Sequence, residues 1–159
     1  MLTIRPITAE ETIAVRWPIL RPGFPRESAV FAGDELTSAR HFGAFAGDGR
    51  LVGVASIYVV AMPEPAAAAA GAPVPEGAAW QLRGMATLPE VRGAGYGAAL
   101  VSACEEGARA AGGEVLWCNA RTSAAPFYQK HGWSVVGGEF DIPTVGPHFR
   151  MWRQIAILQ

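Results

Sequence analysis

The segment Val91-Arg92-Gly93-Ala94-Gly95-Tyr96-Gly97-Ala98 constrains this chain more than any other. It joins a strand-like run, Trp80 to Thr87, to a helix-like run, Ala98 to Ala111. Glycines at alternate positions let the backbone turn tightly and approach a ligand with no Cβ in the way. The start of the following helix presents N–H groups without carbonyl partners and the positive end of the helix dipole, which suits an anion such as a pyrophosphate. Arg92 can add a charge-assisted contact. One dipole contact contributes only about 0.3–1 kcal/mol, so several donors must converge to hold such a group. A tight strand-to-helix turn that binds nothing is also glycine-rich, and these eight residues alone leave both readings open.

Two other glycine-rich loops fit less well. A dinucleotide-binding unit needs G-x-G-x-x-G and an acidic residue at the end of the next strand. Here the spacing is G-x-G-x-G, and the next strand, Val115 to Cys118, runs into Asn119. A nucleotide P-loop fails because no Lys-Ser/Thr follows the glycines.

The 159 residues suit one domain spanning 1–159. Met1 to Arg5 reads as an opening strand, and Thr8 with Glu11 forms a capping box. The helix it opens should run from Ala9 to Arg16 or Trp17, because Pro18 discourages continuation. Residues 18 to 40 read as an irregular loop with room for a short second helix. His41 to Ala46 and Leu51 to Val60 are strand-like across Gly47-Asp48-Gly49, a hairpin pattern. Pro63 to Gly77, alanines between prolines, reads as a mobile connection with little to pack. In the helix from Ala98 to Ala111, residues Leu100, Val101, Cys104, Ala108 and Ala111 share one face, with Glu105, Glu106 and Arg109 off it. Gly112-Gly113 ends that helix. Ser123 is placed to cap a small helix with Pro126 in its first turn and Gly132 at its end. Trp133 to Val136 and Phe149 to Ile157 complete a βα(α)βββαβαββ order. That order implies an α/β fold with one mixed sheet flanked by helices.

Composition removes several functional classes. Half the residues are hydrophobic and the net charge is −1, so no basic surface invites nucleic acid. The longest apolar runs, such as Leu51 to Met62, fall short of the roughly 20 residues of a membrane-spanning helix. The N-terminus lacks the basic-then-apolar pattern of a signal peptide. Cys104 and Cys118 have neither disulfide-scaffold nor metal-ligand spacing, and their apolar surroundings suggest small buried side chains. No metal is expected, and a cytoplasmic location is the simplest.

Arg92-x-x-Gly95-x-Gly97 resembles the acetyl-CoA pyrophosphate motif of the GNAT N-acetyltransferase superfamily. The resemblance extends upstream through Leu82-Arg83-Gly84-Met85-Ala86-Thr87. Downstream it runs through Leu116-Trp117-Cys118-Asn119-Ala120-Arg121 and Phe127-Tyr128-Gln129-Lys130-His131-Gly132-Trp133. It covers Gln81 to Trp133 well and is only architectural before Gly43. It implies a GNAT-like fold whose central strand and the strand near Val115 splay apart around the pantetheine arm of acetyl-CoA. Backbone groups at Met85, Ala86 and Thr87 would then pair with that arm. The loop Arg92, Gly93, Ala94, Gly95, Tyr96 and Gly97 would hold the pyrophosphate. Asn119 would bond the pantetheine or else cap the turn that follows it.

By the same resemblance Tyr128 matches a general acid. A phenol with a pKa near 10 stays protonated at neutral pH and can donate to a departing thiolate. The alternative is a ring that merely packs. An N–H near Met85 would polarise the thioester carbonyl. The base that takes the ammonium proton is open among Glu139, Asp141 and His148. His148 lies in the phrase Gly146-Pro147-His148-Phe149-Arg150-Met151, which resembles a strand start in some bacterial members; an ordinary strand-edge histidine is the other reading. His131 at a helix end and His41 at a strand start read as structural.

The acceptor amine would be chosen by residues 18 to 40. Arg21 and Arg26 there suit an acidic acceptor, Asp34 and Glu35 a cationic one, and Trp17 and Phe24 either wall a pocket or pack. Three functions follow: an enzyme acetylating a small-molecule or protein amine, a catalytically inactive acyl-CoA sensor, or a transferase with a longer donor or another nucleophile. The apolar last strand fits a monomer, folded on its own sheet, or a homodimer.

Overall fold

The computed structural model describes residues 2–63, 66, 67 and 74–156. Its elements follow the order read from the sequence. They are β1 (Thr3–Pro6), α1 (Ala9–Leu20), a 3-10 turn (Arg26–Ala29), β2 (Arg40–Phe45), β3 (Leu51–Val59), β4 (Ala79–Thr87), α2 (Tyr96–Ala110), β5 (Val115–Arg121), α3 (Ala125–Lys130), β6 (Ser134–Ile142) and β7 (Gly146–Gln154). The strands form one mixed seven-stranded sheet in the order β1-β2-β3-β4-β5-β7-β6. Packing divides the chain into two compact units: Met1–Tyr58 with Leu82–Gly107, and Val59–Gln81 with Ala108–Gln159.

In the first unit, Thr8 and Glu11 close the capping box at the start of α1 (Glu11 N–H to Thr8 Oγ1, 3.2 Å; Thr8 N–H to Glu11 Oε1, 2.9 Å). The helix does not stop at Trp17. It runs through Pro18 to Leu20, and the Arg21 N–H still reaches the Trp17 carbonyl at 3.1 Å. Continuing past Pro18 forfeits one backbone hydrogen bond. It also lets Ile19 and Leu20 pack on the core of Ile7, Val15, Phe45, Val54 and Ala86. Burying two such side chains outweighs one exposed hydrogen bond. The irregular stretch after α1 does hold a short helix, the 3-10 turn at Arg26–Ala29. β1, β2 and β3 pair antiparallel, and the Gly49 N–H bonds the Ala46 carbonyl at 2.9 Å in the expected hairpin turn.

The second unit is built on β5, β7 and β6. β7 pairs antiparallel with β5 from Val115↔Gln154 to Arg121↔His148, and on its other edge with β6. The last strand is therefore flanked on both edges within its own chain, and residues from Ile157 on lie outside those described. β5 and β6 both run farther than the short spans expected from Val115 to Cys118 and from Trp133 to Val136. Each gains a long antiparallel partner in β7, and a register shift between Val136 and Phe140 accommodates Gly137 and Gly138. β4 pairs with β5 in parallel over Ala79↔Val115, Trp80↔Leu116 and Gln81↔Trp117. Much of the expected mobile connection, Pro63 to Gly77, lies outside the described residues. Its described Ala66 does pack, in a cluster with Met62, Trp117 and Val136.

Three helix expectations change. α2 starts at Tyr96, two residues early, and ends at Ala110, which leaves Ala111 exposed. Glu105 is buried, because it falls four residues after Val101 and three before Ala108 on the core face. Ser123 does not cap α3. It lies inside a 3-10 turn, Thr122–Ala124, that feeds directly into the helix, and the N-cap is Ala124 with no side-chain bond. Pro126 does sit in the first turn, and Gly132 leaves the helix in the left-handed region. Both cysteines are buried free thiols, raised well above the usual thiol range by burial.

Candidate active site

The glycine loop has the geometry its sequence demands. Arg92, Gly93, Ala94 and Gly95 are exposed, and Gly93 and Gly95 adopt φ of 83° and 90°, where a side chain is strained. A Cβ added at either would meet nothing within 4 Å, so the space over this loop is open. The first bond of α2 runs from the Ala99 N–H to the Gly95 carbonyl at 3.1 Å. The amides of Tyr96, Gly97 and Ala98 precede that bond and have no carbonyl within the helix to accept them. Arg92 is exposed, and its guanidinium donates to the Thr87 carbonyl at a long 3.4 Å.

The strand entering this loop carries a second irregularity. Gly84 in β4 has φ of 66°, and a Cβ there would lie 3.0 Å from both Arg16 Nε and Phe31 Cε2. Met85 and Thr87 are half-buried and Ala86 packs into the α1 core. Among the described residues, β4 makes no ladder with β5 beyond Gln81.

Behind Gly84 lies a buried ionic network that the sequence did not announce. Arg16, fully buried in α1, forms a two-pronged pair with Asp34 (Nη1–Oδ2 2.7 Å, Nη2–Oδ1 3.1 Å). It also donates to the Ala29 carbonyl, Ser56 Oγ and the Tyr58 hydroxyl at 3.1, 2.9 and 3.0 Å. The Tyr58 hydroxyl donates in turn to Asp34 Oδ1, and the Phe31 N–H to Oδ2 at 2.8 Å. Burial alone would raise the Asp34 carboxyl, but the bonds from Arg16, Tyr58 and Phe31 outweigh it and hold Asp34 below the usual range. Burial, then the bond to Asp34, pushes Tyr58 up to about 12. His41 closes the network, with Nε2 2.9 Å from the Asp34 carbonyl and Nδ1 2.6 Å from Ser56 Oγ. A carbonyl only accepts, so Nε2 carries a proton, and Nδ1 pairs with the Ser56 hydroxyl. The structural reading of His41 fits these contacts.

The network redistributes the charges of residues 18 to 40. Asp34 is buried against Arg16 and Arg26 is paired with Glu10. Arg21 sits 5.3 Å from the centroid of the Phe31 ring and donates to the Leu20 carbonyl. Trp17 donates to the Phe24 carbonyl at 2.7 Å, and both rings are exposed. The missed signal was polar residues on a core face: Thr12 and Arg16 share the buried side of α1 with Ile13 and Val15.

Other sequence-derived candidates lie in the second unit. Asn119 stands inside β5, opposite Arg150, and its Oδ1 accepts from Arg150 Nε at 3.0 Å. It does not cap the turn after the strand. Tyr128 is buried in α3, with ring centroids of Phe127 and Trp133 at 5.2 and 5.1 Å. His148 is buried on β7 with Nδ1 2.7 Å from the Gly146 carbonyl, which leaves Nε2 as the nitrogen with a lone pair. Glu139 and Asp141 are exposed on β6, and His131 caps the end of α3. Among the described residues no group of three or more His, Cys, Asp or Glu could hold a metal, and no helix is long and apolar enough to cross a membrane.

Comparison with known proteins agrees with this geometry. The sequence matches the acetyltransferase (GNAT) family over residues 9–133. It is 34% identical over 155 residues to the uncharacterized N-acetyltransferase YitI of Bacillus subtilis, covering 98% of this chain and 97% of that protein. Two solved structures share the fold. One is the ribosomal-protein-S18-alanine N-acetyltransferase of Escherichia coli, with TM-score 0.73 and 16% identity, over 100% of this chain and 97% of that one. The other is an aminoglycoside 6'-N-acetyltransferase complexed with coenzyme A, with TM-score 0.73 and 14% identity, over 99% of each chain. With the glycine loop, its strand and the family match in agreement, the chain belongs to the GNAT acetyltransferase family and is an acetyl-CoA-dependent acetyltransferase.

Proposed function

We propose that this chain transfers an acetyl group from acetyl-CoA to a primary amine by direct attack. The observation that carries the reading is the open loop Arg92–Gly97, where two left-handed glycines clear the approach to the unpaired amides of α2. Those amides and Arg92 would hold the pyrophosphate. Backbone groups of Met85, Ala86 and Thr87, beyond the three-pair ladder with β5, would hold the pantetheine as an added strand. Asn119 would contribute its amide N–H to the same arm, since its oxygen already accepts from Arg150.

The neutral amine attacks the thioester carbon, and the Met85 N–H stabilises the oxyanion that develops. Collapse forms the amide, breaks the C–S bond and expels the thiolate. Tyr128 donates its phenolic proton to that sulfur and recovers a proton from the nitrogen of the new amide, directly or through water. His148, with Nδ1 committed to the Gly146 carbonyl, takes the ammonium proton at Nε2 or through water.

The test joins calorimetry with thiol release. Acetyl-CoA and CoA should both give heat on binding, and at least one amine in a broad panel should release free thiol above background. No heat with folded protein would remove the loop assignment. Binding without thiol release from any amine would make the chain an acyl-CoA-binding module. Tyr128→Phe should lower kcat by about a hundredfold while leaving the acetyl-CoA KM near wild type, because proton donation acts at the transition state. An unchanged kcat with chemistry limiting would take Tyr128 out of the mechanism.

A further inference from the structure

Three guanidinium groups gather on one aromatic ring. The Arg16, Arg83 and Arg21 guanidinium carbons lie 4.1, 4.8 and 5.3 Å from the centroid of Phe31. Arg16 is locked to Asp34. Arg83, half-buried in β4, has no carboxylate partner among the described residues, and its guanidinium lies over the faces of Phe31 and Tyr58. The local backbone places it there. Successive residues of a strand face opposite sides, yet Arg83 lies over Phe31 and the missing Cβ of Gly84 also points at that ring, because the positive φ of Gly84 breaks the alternation. The surface so formed is cationic and aromatic. Asp34, buried beside the ring, is held by Arg16.

We propose that Arg83 is a specificity-determining residue for the acceptor, and that it selects an amine carrying a carboxylate or phosphate close to its nitrogen. This rests on the transferase reading above, which gives Met85, two residues along the same strand, to the reacting carbonyl. A planar guanidinium held against Phe31 keeps its N–H edge in one orientation, as two-pronged recognition of a carboxylate or phosphate requires. Arg21, on the same ring, adds positive potential. Arg26, which the sequence offered for an acidic acceptor, is paired with Glu10.

The experiment uses the full chain and acceptors in matched sets: alanine against ethylamine, phenylalanine against phenethylamine, and 2-aminoethyl phosphate against ethanolamine. Thiol release from acetyl-CoA gives kcat/KM, and calorimetry with saturating CoA gives acceptor binding without turnover. The anionic member of a set should be preferred by about ten- to a hundredfold in both readouts, the range of one charged hydrogen-bonded contact. Arg83→Gln should abolish the preference and Arg83→Lys should keep part of it. Arg26→Gln should leave it as in wild type. The carboxylate and phosphate sets separate the two anion sources.

Equal use of neutral and anionic amines, or a preference that survives Arg83→Gln, overturns the proposal while leaving the transferase reading intact. Anionic amines that bind through Arg83 while no amine is acetylated support the anion site, and the transferase reading fails instead. No binding and no turnover of any anionic amine overturns the proposal.

Discussion

Gly84 and Gly95 share a residue type, a left-handed backbone and, eleven positions apart, the same strand-to-helix passage, yet their surroundings are opposite. At Gly84 a Cβ would strike Arg16 Nε and Phe31 Cε2 at 3.0 Å; at Gly95 it would strike nothing within 4 Å. The protein's own packing explains the first glycine. Packing does not explain the second; in the proposed function its open space admits the pyrophosphate of the cosubstrate.

The sharpest way to break this contrast is Gly84→Ala. The added methyl meets a fully buried guanidinium that Asp34, Ser56, Tyr58 and the Ala29 carbonyl already fix, so Arg16 has little room to yield. Left-handed strain of about 1–2 kcal/mol and overpacking of about 1–3 kcal/mol together predict a loss of roughly 2–5 kcal/mol. For a chain of this size that lowers Tm by roughly 4–20 °C in a thermal scan. A variant as stable as wild type would mean that Arg16 and Phe31 move aside freely, and the packing explanation of Gly84 would be wrong.

Sequence legibility followed the same divide between local and assembled features. The element order, the capping box at Thr8 and Glu11, the hairpin at Gly47 to Gly49 and the glycine loop were all readable, because each is set by neighbours within a few positions. What was lost came from partners distant in sequence. α1 outlasts Pro18 because Ile19 and Leu20 find a core made by Ile7 and residues of β2, β3 and β4. β5 and β6 lengthen because β7 inserts between them. The charges of residues 18 to 40 seemed to contradict one another until Asp34 was found opposite Arg16, eighteen residues away. Arg83 carried no signal of its own, since a cation in a strand gives no hint of the ring it will meet.

Gly95→Val sharpens the contrast from the other side, with a smaller effect on the protein alone. A β-branched residue at φ of 90° is strained by about 1–2 kcal/mol, but its methyls enter open space and displace no side chain. Without ligand it should therefore melt above Gly84→Ala. Acetyl-CoA separates the two variants. A ligand at a hundredfold excess over its Kd stabilises the folded state by about 2.7 kcal/mol. Wild type should gain that increment, and Gly84→Ala should gain most of it. Gly95→Val should gain little at the same concentration, since on the proposed reading the valine methyls enter the space the pyrophosphate needs and an affinity loss of at least about tenfold follows. The decisive quantity is the ligand-induced shift in Tm, which local strain does not move. If Gly95→Val shifts as far as wild type, the space above the loop is not where the diphosphate sits, and the two glycines differ only in how crowded they are.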